Sequence, residues 1–336
     1  MTAQDVYKFL YQSAFGCAHL APAKQEAQAE LQAEYARLKP AETAVEPLDG
    51  PFARVPLGLL REGLDAGTLA GLFCASAEAA PTDKAAFRAL LAAALRQAKQ
   101  GALPFPAGAL SEAFQSLAAQ GFPAVRHSAA YRAAYRPAYR VIAQRFLPFL
   151  PLLARIDTLL KDGPVLVAVD GGSASGKTEL GAMLCALYGC TVLHMDDFFL
   201  RPQQRTPERY AEPGGNVDRE RFLEEVLRPL KARKPIAYRR FSCQTMTLQP
   251  AQTLLPDRLT VVEGTYALHP DLAGYYDLSV FLEIDPQLQR ERLSRRETPE
   301  SLHRFMSVWI PLEQAYFDAL CVPQRCDLRI RAADER

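Results

Sequence analysis

The sequence lacks any long hydrophobic run, and no stretch approaches the ~18 apolar residues that a membrane-spanning helix requires. It also lacks an excess of either charge, because 39 Lys and Arg residues face 38 Asp and Glu residues and leave a formal net charge of +1. This balance argues against bulk nucleic acid or an anionic membrane as the main partner. The first residues show no basic segment followed by an apolar one, so we expect no secretory signal peptide.

The cysteines lack the spacing and the number that a metal knuckle or a disulfide framework needs. There are seven of them, and none follows the C-x-x-C pattern. The two C-x4-C pairs, Cys185/Cys190 and Cys321/Cys326, have no histidine beside them at metal-ligand spacing. We therefore expect reduced thiols and a cytoplasmic protein. A repeat of fixed period is also absent, which argues against a solenoid.

The 336 residues suffice for about two domains, and the composition changes along the chain. Residues 1–150 are rich in Ala, Leu, Gln and Glu and predict a mainly α-helical domain whose task the sequence does not indicate. Its predicted elements are helices at 4–15, 23–38, 65–79, 82–100 (N-capped by Thr82) and 111–120, and a short strand at 52–55. In residues 151–336 apolar strands alternate with helices, which predicts an α/β domain with a parallel sheet and flanking helices.

The most informative motif is the segment GGSASGKT, which fits the pattern G-x-x-x-x-G-K-[ST] at every position. An apolar strand precedes it and a helical pattern follows. Glycines allow the backbone to wrap closely around phosphate oxygens, and the helix N-terminus attracts the anion. We predict a nucleoside triphosphate here, with Lys177 on the β- and γ-phosphates and Thr178 on Mg²⁺. The predicted nucleotide-binding residues are Gly171, Gly172, Ser173, Ala174, Ser175, Gly176, Lys177 and Thr178.

Two acidic positions follow later strands of the predicted sheet. Asp196 and Asp197 come after the second strand, and Glu263 ends the third. Because ligands of open α/β sheets bind at the carboxyl ends of the strands, we expect Asp196 and Glu263 to face Lys177. A solvated turn for the aspartates, and a helix cap or surface acid for Glu263, are the structural alternatives.

These motifs together resemble the uridine kinase and phosphoribulokinase family of P-loop kinases. The segments that carry the resemblance, in order, are GGSASGKT, MDDFF, NVD at 216–218, VVEGTYAL and IDPQLQRERLSRRE. They span about residues 164–320, and the resemblance implies ATP and Mg²⁺ as cofactors.

The resemblance also implies roles for individual residues. It makes Asp196 the catalytic base near Mg²⁺, Glu263 an acid associated with Mg²⁺, and Asp218 a contact to the substrate's hydroxyl groups. Arg292 and Arg296 fall on the lid pattern, where arginines clamp the transferring phosphoryl group. Glu297 stands where the lid pattern has aspartate.

The pocket segment departs from the family pattern. KPIAYRRFSC keeps Tyr238, a candidate substrate contact, but contains no histidine to help recognise a base. The resulting prediction is an ATP- and Mg²⁺-dependent kinase of a small-molecule hydroxyl, with a nucleoside such as uridine or cytidine as the first candidate acceptor. Another sugar-like or carboxylate-bearing alcohol is the alternative, as is an ATP-sensing regulatory protein whose helical half engages a partner. Homo-oligomerisation stays open.

In the first half, the segment HSAAYRAAYRPAYR repeats Tyr and Arg every four residues. On a helix this spacing places Tyr131 and Tyr135 on one face, and Pro137 should kink or end that helix. An anion or nucleotide site, RNA binding, and a half-buried helix with inward tyrosines are the alternatives. His127 and His19 are candidate catalytic residues, against the simpler interpretation that they satisfy local hydrogen bonds.

Overall fold

The protein was analysed as a computed structural model that describes residues 1–17, 23–38, 43–48, 50–78 and 84–331. His19 and Thr82, which the sequence analysis singled out, lie outside the described residues. The chain divides into two compact units, Met1–Ala154 and Arg155–Arg336. Within the described ranges, no helix combines the length and the hydropathy needed to cross a membrane.

The N-terminal unit is mainly helical, as its composition predicts. Its helices are α1 (Ala3–Phe15), α2 (Lys24–Tyr35), α3 (Ala66–Glu78), α4 (Lys84–Lys99), α5 (Ala107–Ala119) and α6 (Ala129–Tyr135). Side chains of α1, α4 and α5 form one core, in which the buried rings of Tyr7 and Phe87 meet edge to face. Helix α7 (Leu150–Leu159) follows and continues into the second unit.

This unit also contains a three-stranded antiparallel sheet of which the sequence predicted one strand. The strands are β1 (Glu46–Pro47), β2 (Phe52–Pro56) and β3 (Tyr139–Ala143), in that spatial order. β3 begins inside the Tyr/Arg segment, because Pro137 cannot continue α6. Tyr139 and Arg140 therefore belong to a strand and not to the helix that carries Tyr131 and Tyr135.

The C-terminal unit is built on a parallel sheet of five strands in the order β10-β9-β4-β8-β5. Its strands are β4 (Val165–Gly171), β5 (Thr191–His194), β8 (Leu259–Glu263), β9 (Leu278–Glu283) and β10 (Leu328–Arg331). The central strand β4 is buried along its whole length, which explains its continuous apolar run. A separate hairpin pairs β6 (Ile236–Ser242) with β7 (Thr247–Leu254).

Helices of this unit connect and flank the strands. They are α8 (Lys177–Tyr188), α9 (Pro207–Ala211), α10 (Arg219–Phe222), α11 (Arg228–Lys231), α12 (Pro270–Ala273), α13 (Pro286–Arg296), α14 (Pro299–Arg304), α15 (Ile310–Ala319) and α16 (Val322–Arg325). A π-helical turn at Leu223–Leu227 joins α10 to α11, and another at Phe305–Trp309 joins α14 to α15. The parallel sheet with flanking helices and a phosphate loop after its central strand is a P-loop kinase fold, as predicted.

Candidate active site

The phosphate loop connects β4 to α8. Gly171 has a φ of +150°, and a Cβ atom there would lie 2.5 Å from the carbonyl oxygen of Leu282, so the position requires glycine. Gly176 needs glycine for another reason, its left-handed backbone at φ +97° immediately before α8. The Nζ of Lys177 folds back and donates to the carbonyl oxygens of Gly171 and Gly172, each at 2.9 Å.

The loop offers hydrogen-bond donors to an anion. The hydroxyl group of Ser175 is buried and has no hydrogen-bond partner among the residues that the structure describes. The N–H groups in the first turn of α8, from Lys177 onward, have no intrahelical acceptors, and the helix dipole adds partial positive charge there. The residues of this loop therefore fit the phosphate groups of a nucleotide.

Glu263, the last residue of β8, lies beside the loop. Its Oε1 accepts a hydrogen bond from Thr178 Oγ1 at 3.3 Å and also contacts His194 Nδ1. The hydrogen bond with Glu263 raises the pKa of His194, although burial alone would lower it. Within the described part of the chain no hydrogen bond reaches Oε2, which leaves this oxygen available to a cation.

Asp196 lies in the short 3₁₀ turn Met195–Phe198 that follows β5. Its side chain is accessible to solvent, yet the surrounding protein atoms desolvate the carboxyl group and raise its pKa. The positive charge of Lys177 lowers this pKa, whereas the charge of Glu263 raises it. The structure therefore brings Lys177, Asp196 and Glu263 within electrostatic reach of one another at the carboxyl edge of the sheet.

A third acid at this edge, Glu313 of α15, was not predicted from the sequence. Its carboxylate accepts from the backbone N–H of Ser173 at 2.9 Å and from the Ser173 hydroxyl. Burial raises the pKa of Glu313, while the bonds from Ser173 and the charge of Lys177 lower it. The two partners are 140 positions apart in the chain, and only the fold brings them together.

Asp170, immediately before the loop, was also not singled out. Its fully buried carboxylate accepts from the backbone N–H groups of Gly171 at 2.7 Å and Leu268 at 2.9 Å, and from the Tyr316 hydroxyl at 2.8 Å. Burial raises the pKa of Asp170 to about 6, against the effect of these bonds. Asp170 thus ties the phosphate loop to the segment that follows Glu263. An acid ending an apolar strand is the signal that could have revealed it.

The two predicted lid arginines have different surroundings. Arg292 Nη1 donates to the carbonyl oxygen of Ala174 at 3.0 Å, so this side chain reaches the phosphate loop. Arg296 instead pairs with Glu297 at 2.7 Å, and its guanidinium lies 5.9 Å from the centre of the Phe305 ring. The structure brings Arg292 to the loop and leaves Arg296 paired within its own segment.

The two predicted substrate contacts are buried beneath the turn that carries Asp196. Asp218 caps α10 and accepts from Gln204 Nε2 at 2.9 Å, and its side chain is 3% exposed. Tyr238 stacks on Phe198, and burial together with the charge of Asp197 raises its pKa to about 12.

His127, in the N-terminal unit, has local partners. Its Nδ1 lies 3.4 Å from Asp5 Oδ1 and its Nε2 lies 2.7 Å from the Tyr139 hydroxyl. The ring stacks on Tyr131, which in turn stacks on Tyr135, a residue that is 63% exposed. No residue of α6 is fully buried, but the half-buried ring of Tyr131 also meets Phe9 of α1 edge to face, whereas Tyr135 is exposed.

Known proteins are similar to about half of this chain. No family model matches the chain. A phosphoribulokinase from Synechocystis sp. is 26% identical over 168 residues, which cover 47% of this chain and 51% of that protein. The chain therefore spans about half the length of this curated relative. The predicted resemblance of the C-terminal half to this family is confirmed.

Two solved structures are also similar to this half of the chain. One, a possible uridine kinase from Bacillus stearothermophilus, is 22% identical with a TM-score of 0.39, covering 54% of this chain and 99% of that one. The other, a gluconokinase from Sinorhizobium meliloti, is 18% identical with a TM-score of 0.29, covering 51% and 84%.

Proposed function

We propose that the C-terminal unit is a kinase that transfers the γ-phosphate of ATP to a hydroxyl group of a small molecule. The observation that supports this proposal most directly is that the charges of Lys177 and Glu263 act on Asp196 beside the phosphate loop, while Thr178 of the loop donates a hydrogen bond to Glu263. A module that only senses ATP needs the loop, but it does not need a solvent-accessible acid next to the position of the terminal phosphate. The accessible carboxyl group of Asp196 therefore favours an enzyme.

In the proposed step, the acceptor oxygen forms a bond to the γ-phosphorus while the bond from this phosphorus to the β–γ bridging oxygen breaks, and ADP leaves. Asp196 accepts the proton of the acceptor hydroxyl, and its raised pKa suits this task. Lys177 exchanges the carbonyl oxygens of its own loop for the β- and γ-phosphates. Arg292 stabilises the charge on the transferring group, and Arg296 joins it by leaving Glu297.

The donor set at the sheet edge also suits Mg²⁺. This ion is typically held by one or two carboxylates together with substrate phosphates and waters. Thr178, Glu263 and Asp196 would hold it, and it would neutralise charge on the phosphates. Asp218 and Tyr238 contact the turn that carries Asp196, and we retain them as candidate contacts to the acceptor.

The test is an ADP-release screen over nucleosides, sugars and hydroxy acids with the full chain and two lysine variants. Lys177→Ala should lose at least about 10²-fold in turnover, because it removes a cation from the transferring phosphates. The matched control, Lys231→Ala, removes an exposed lysine and should leave turnover unchanged. Near-normal turnover in Lys177→Ala would contradict the proposal.

A second variant separates base catalysis from nucleotide binding. Asp196→Asn should lower kcat much more than it weakens ATP binding, if the carboxylate acts on the acceptor proton. ATP binding that persists while no acceptor in the screen elicits ADP release would favour the ATP-sensing alternative.

A further inference from the structure

A cavity of about 530 Å³ lies between α9 and the segment that runs from α14 to α15. Its volume falls in the range of ~300–1,000 Å³ that small-molecule sites occupy. The side chains that define its chemistry are Tyr210, Arg304, Ser307, Val308, Trp309 and Leu312. Most of this wall is apolar or aromatic, with one cation, Arg304, and two hydroxyl groups, those of Ser307 and Tyr210.

The backbone beside the cavity contains an irregular turn, and several side chains of this turn line the cavity. Residues Phe305–Trp309 form a π-helical turn, a rare insertion that occurs frequently at functional sites. This turn carries Ser307, Val308 and Trp309, all of which line the cavity. Val308 is 42% exposed, although burial would be favourable for an aliphatic side chain.

The cavity lies against α15, the helix that also contacts the phosphate loop. A smaller cavity of about 40 Å³ shares Tyr210 and Leu312 with the first and reaches Asn216. Leu312 of α15 lines both cavities, and the next residue, Glu313, accepts a hydrogen bond from the backbone N–H of Ser173 in the phosphate loop at 2.9 Å. A molecule seated in the larger cavity therefore lies beside the helix that contacts the proposed nucleotide site.

The charge of the cavity is positive. No carboxylate of the described residues pairs with Arg304, whose guanidinium lies 5.9 Å from the centre of the Trp309 ring. Glu212, at the wall of the smaller cavity, is already engaged by Arg209 and Arg219. An exposed guanidinium beside an aromatic ring is a typical partner for a carboxylate or phosphate attached to a flat body.

We infer that this cavity binds the acceptor, and that the acceptor is an alcohol with a planar or apolar body and an anionic group. The anionic group pairs with Arg304, the body packs against Tyr210 and Trp309, and the hydroxyl group points towards Asp196. This inference rests on the proposed function for the identity of the bound molecule as acceptor.

The chain offers a direct probe, because Trp309 is its only tryptophan. Fluorescence titration of the full chain compares two matched pairs, 3-phenyllactate with 3-phenylpropane-1,2-diol, and uridine 5′-monophosphate with uridine. Within at least one pair, the anionic member should bind at least about tenfold more tightly, as expected for one charge-assisted contact. The pair that shows this preference distinguishes a carboxylate from a phosphate as the group on Arg304.

Two variants locate the contact. Arg304→Gln should remove the preference for the anionic member, whereas Arg228→Gln, which alters an exposed arginine outside the cavity lining, should keep it. Tyr210→Ala should weaken both members of the preferred pair. An acceptor identified by ADP release should show a KM raised about tenfold in Arg304→Gln with ATP binding unchanged.

Equal binding of charged and uncharged members in both pairs, or an Arg304→Gln variant that binds the anion as the parent does, would overturn the inference. These outcomes leave the proposed kinase function standing if ADP release still depends on Lys177. A Lys177→Ala variant with normal turnover would refute the kinase function, while the tryptophan titration would still report whether the cavity binds an anionic ligand.

Discussion

Among the contacts between a histidine and an acid, His127–Asp5 of the N-terminal unit and His194–Glu263 of the C-terminal unit differ in sign, because the pKa of His127 is lowered and that of His194 is raised. In the N-terminal unit, Asp5 is fully buried and accepts bonds from backbone and hydroxyl groups of Thr2 and Ser128. Burial alone would raise the pKa of Asp5, but these bonds lower it to about 2. Its neighbour His127 is buried, and that burial lowers the pKa of the imidazole.

In the C-terminal unit, the side chain of His194 is 38% exposed and its pKa is raised by Glu263. The carboxylate of Glu263 also accepts a hydrogen bond from the Thr178 hydroxyl, and its other oxygen has no hydrogen-bond partner among the described residues. The difference shows that contact with a histidine does not by itself make a carboxylate able to bind a ligand. What decides this is whether one of its oxygens accepts no hydrogen bond from the protein. An acid whose two carboxylate oxygens both accept hydrogen bonds from neighbouring residues stabilises the fold. An acid with one oxygen that accepts no such bond, next to a phosphate loop, can bind a ligand.

The largest expected effect is on the C-terminal member of this comparison. Glu263→Gln should lower kinase turnover by about 10²-fold and raise the Mg²⁺ concentration needed for half-maximal activity, because an amide cannot replace the charge of the carboxylate that we propose holds Mg²⁺. ADP release measured against Mg²⁺ concentration checks this. An unchanged Mg²⁺ requirement would contradict the role proposed for Glu263.

The corresponding change in the N-terminal unit should affect stability and not activity. Asp5→Asn should destabilise the unit by about 2–4 kcal/mol, because a buried acceptor of several hydrogen bonds is replaced by an amide with two donors. Hydrogen exchange of the α1 amides measures the effect, with the exposed Glu62→Gln as the control in the same unit. Protection equal in both variants would show that Asp5 is not a structural clamp.

The pH dependence of unfolding sharpens the comparison further. Since the pKa of Asp5 is lowered from 3.8 to about 2 on folding, its stabilisation is fully present above pH 3.8 and is lost as the pH falls from there towards 2. α1 hydrogen-exchange protection measured across this acid range should therefore fall more steeply in the parent than in Asp5→Asn. Parallel curves would rule out a lowered pKa for Asp5.

The smallest expected effect concerns Lys8, a buried residue of α1, the helix that also carries Asp5. Burial, and secondarily the nearby charge of Arg54, lowers its pKa from 10.5 to about 8, so the charged form costs free energy below pH 8. Lys8→Met should stabilise the unit by about 1–2 kcal/mol at pH 7 and remove the rise in stability between pH 8 and 10.5. Denaturant unfolding of the parent and of Lys8→Met at pH 7, pH 8 and pH 10.5 checks both expectations. A destabilised Lys8→Met would point to a favourable contact of the ammonium group.

Much of the C-terminal fold could be predicted because its signals are local. The apolar run of β4, the glycine pattern of the loop and the acids that end β5 and β8 are each contained in fewer than ten residues. The strand β10 was not predicted, because its four residues alternate polar and apolar side chains at the edge of the sheet. In the N-terminal unit, α1 to α5 follow helical periodicity, whereas β1 and β3 depend on pairing with β2.

The order of strand, phosphate loop and helix can be recognised from the sequence alone, and so can the positions of Lys177, Asp196 and Glu263 at or just after the carboxyl ends of strands. Backbone geometry and side-chain periodicity are short-range effects, so they can be recognised along the chain. Only the tertiary structure placed Glu313 on Ser173, buried Asp218 and Tyr238, and formed the cavity beside Trp309. Those relations join residues far apart in sequence, and the packing that brings them together depends on the complete set of long-range contacts.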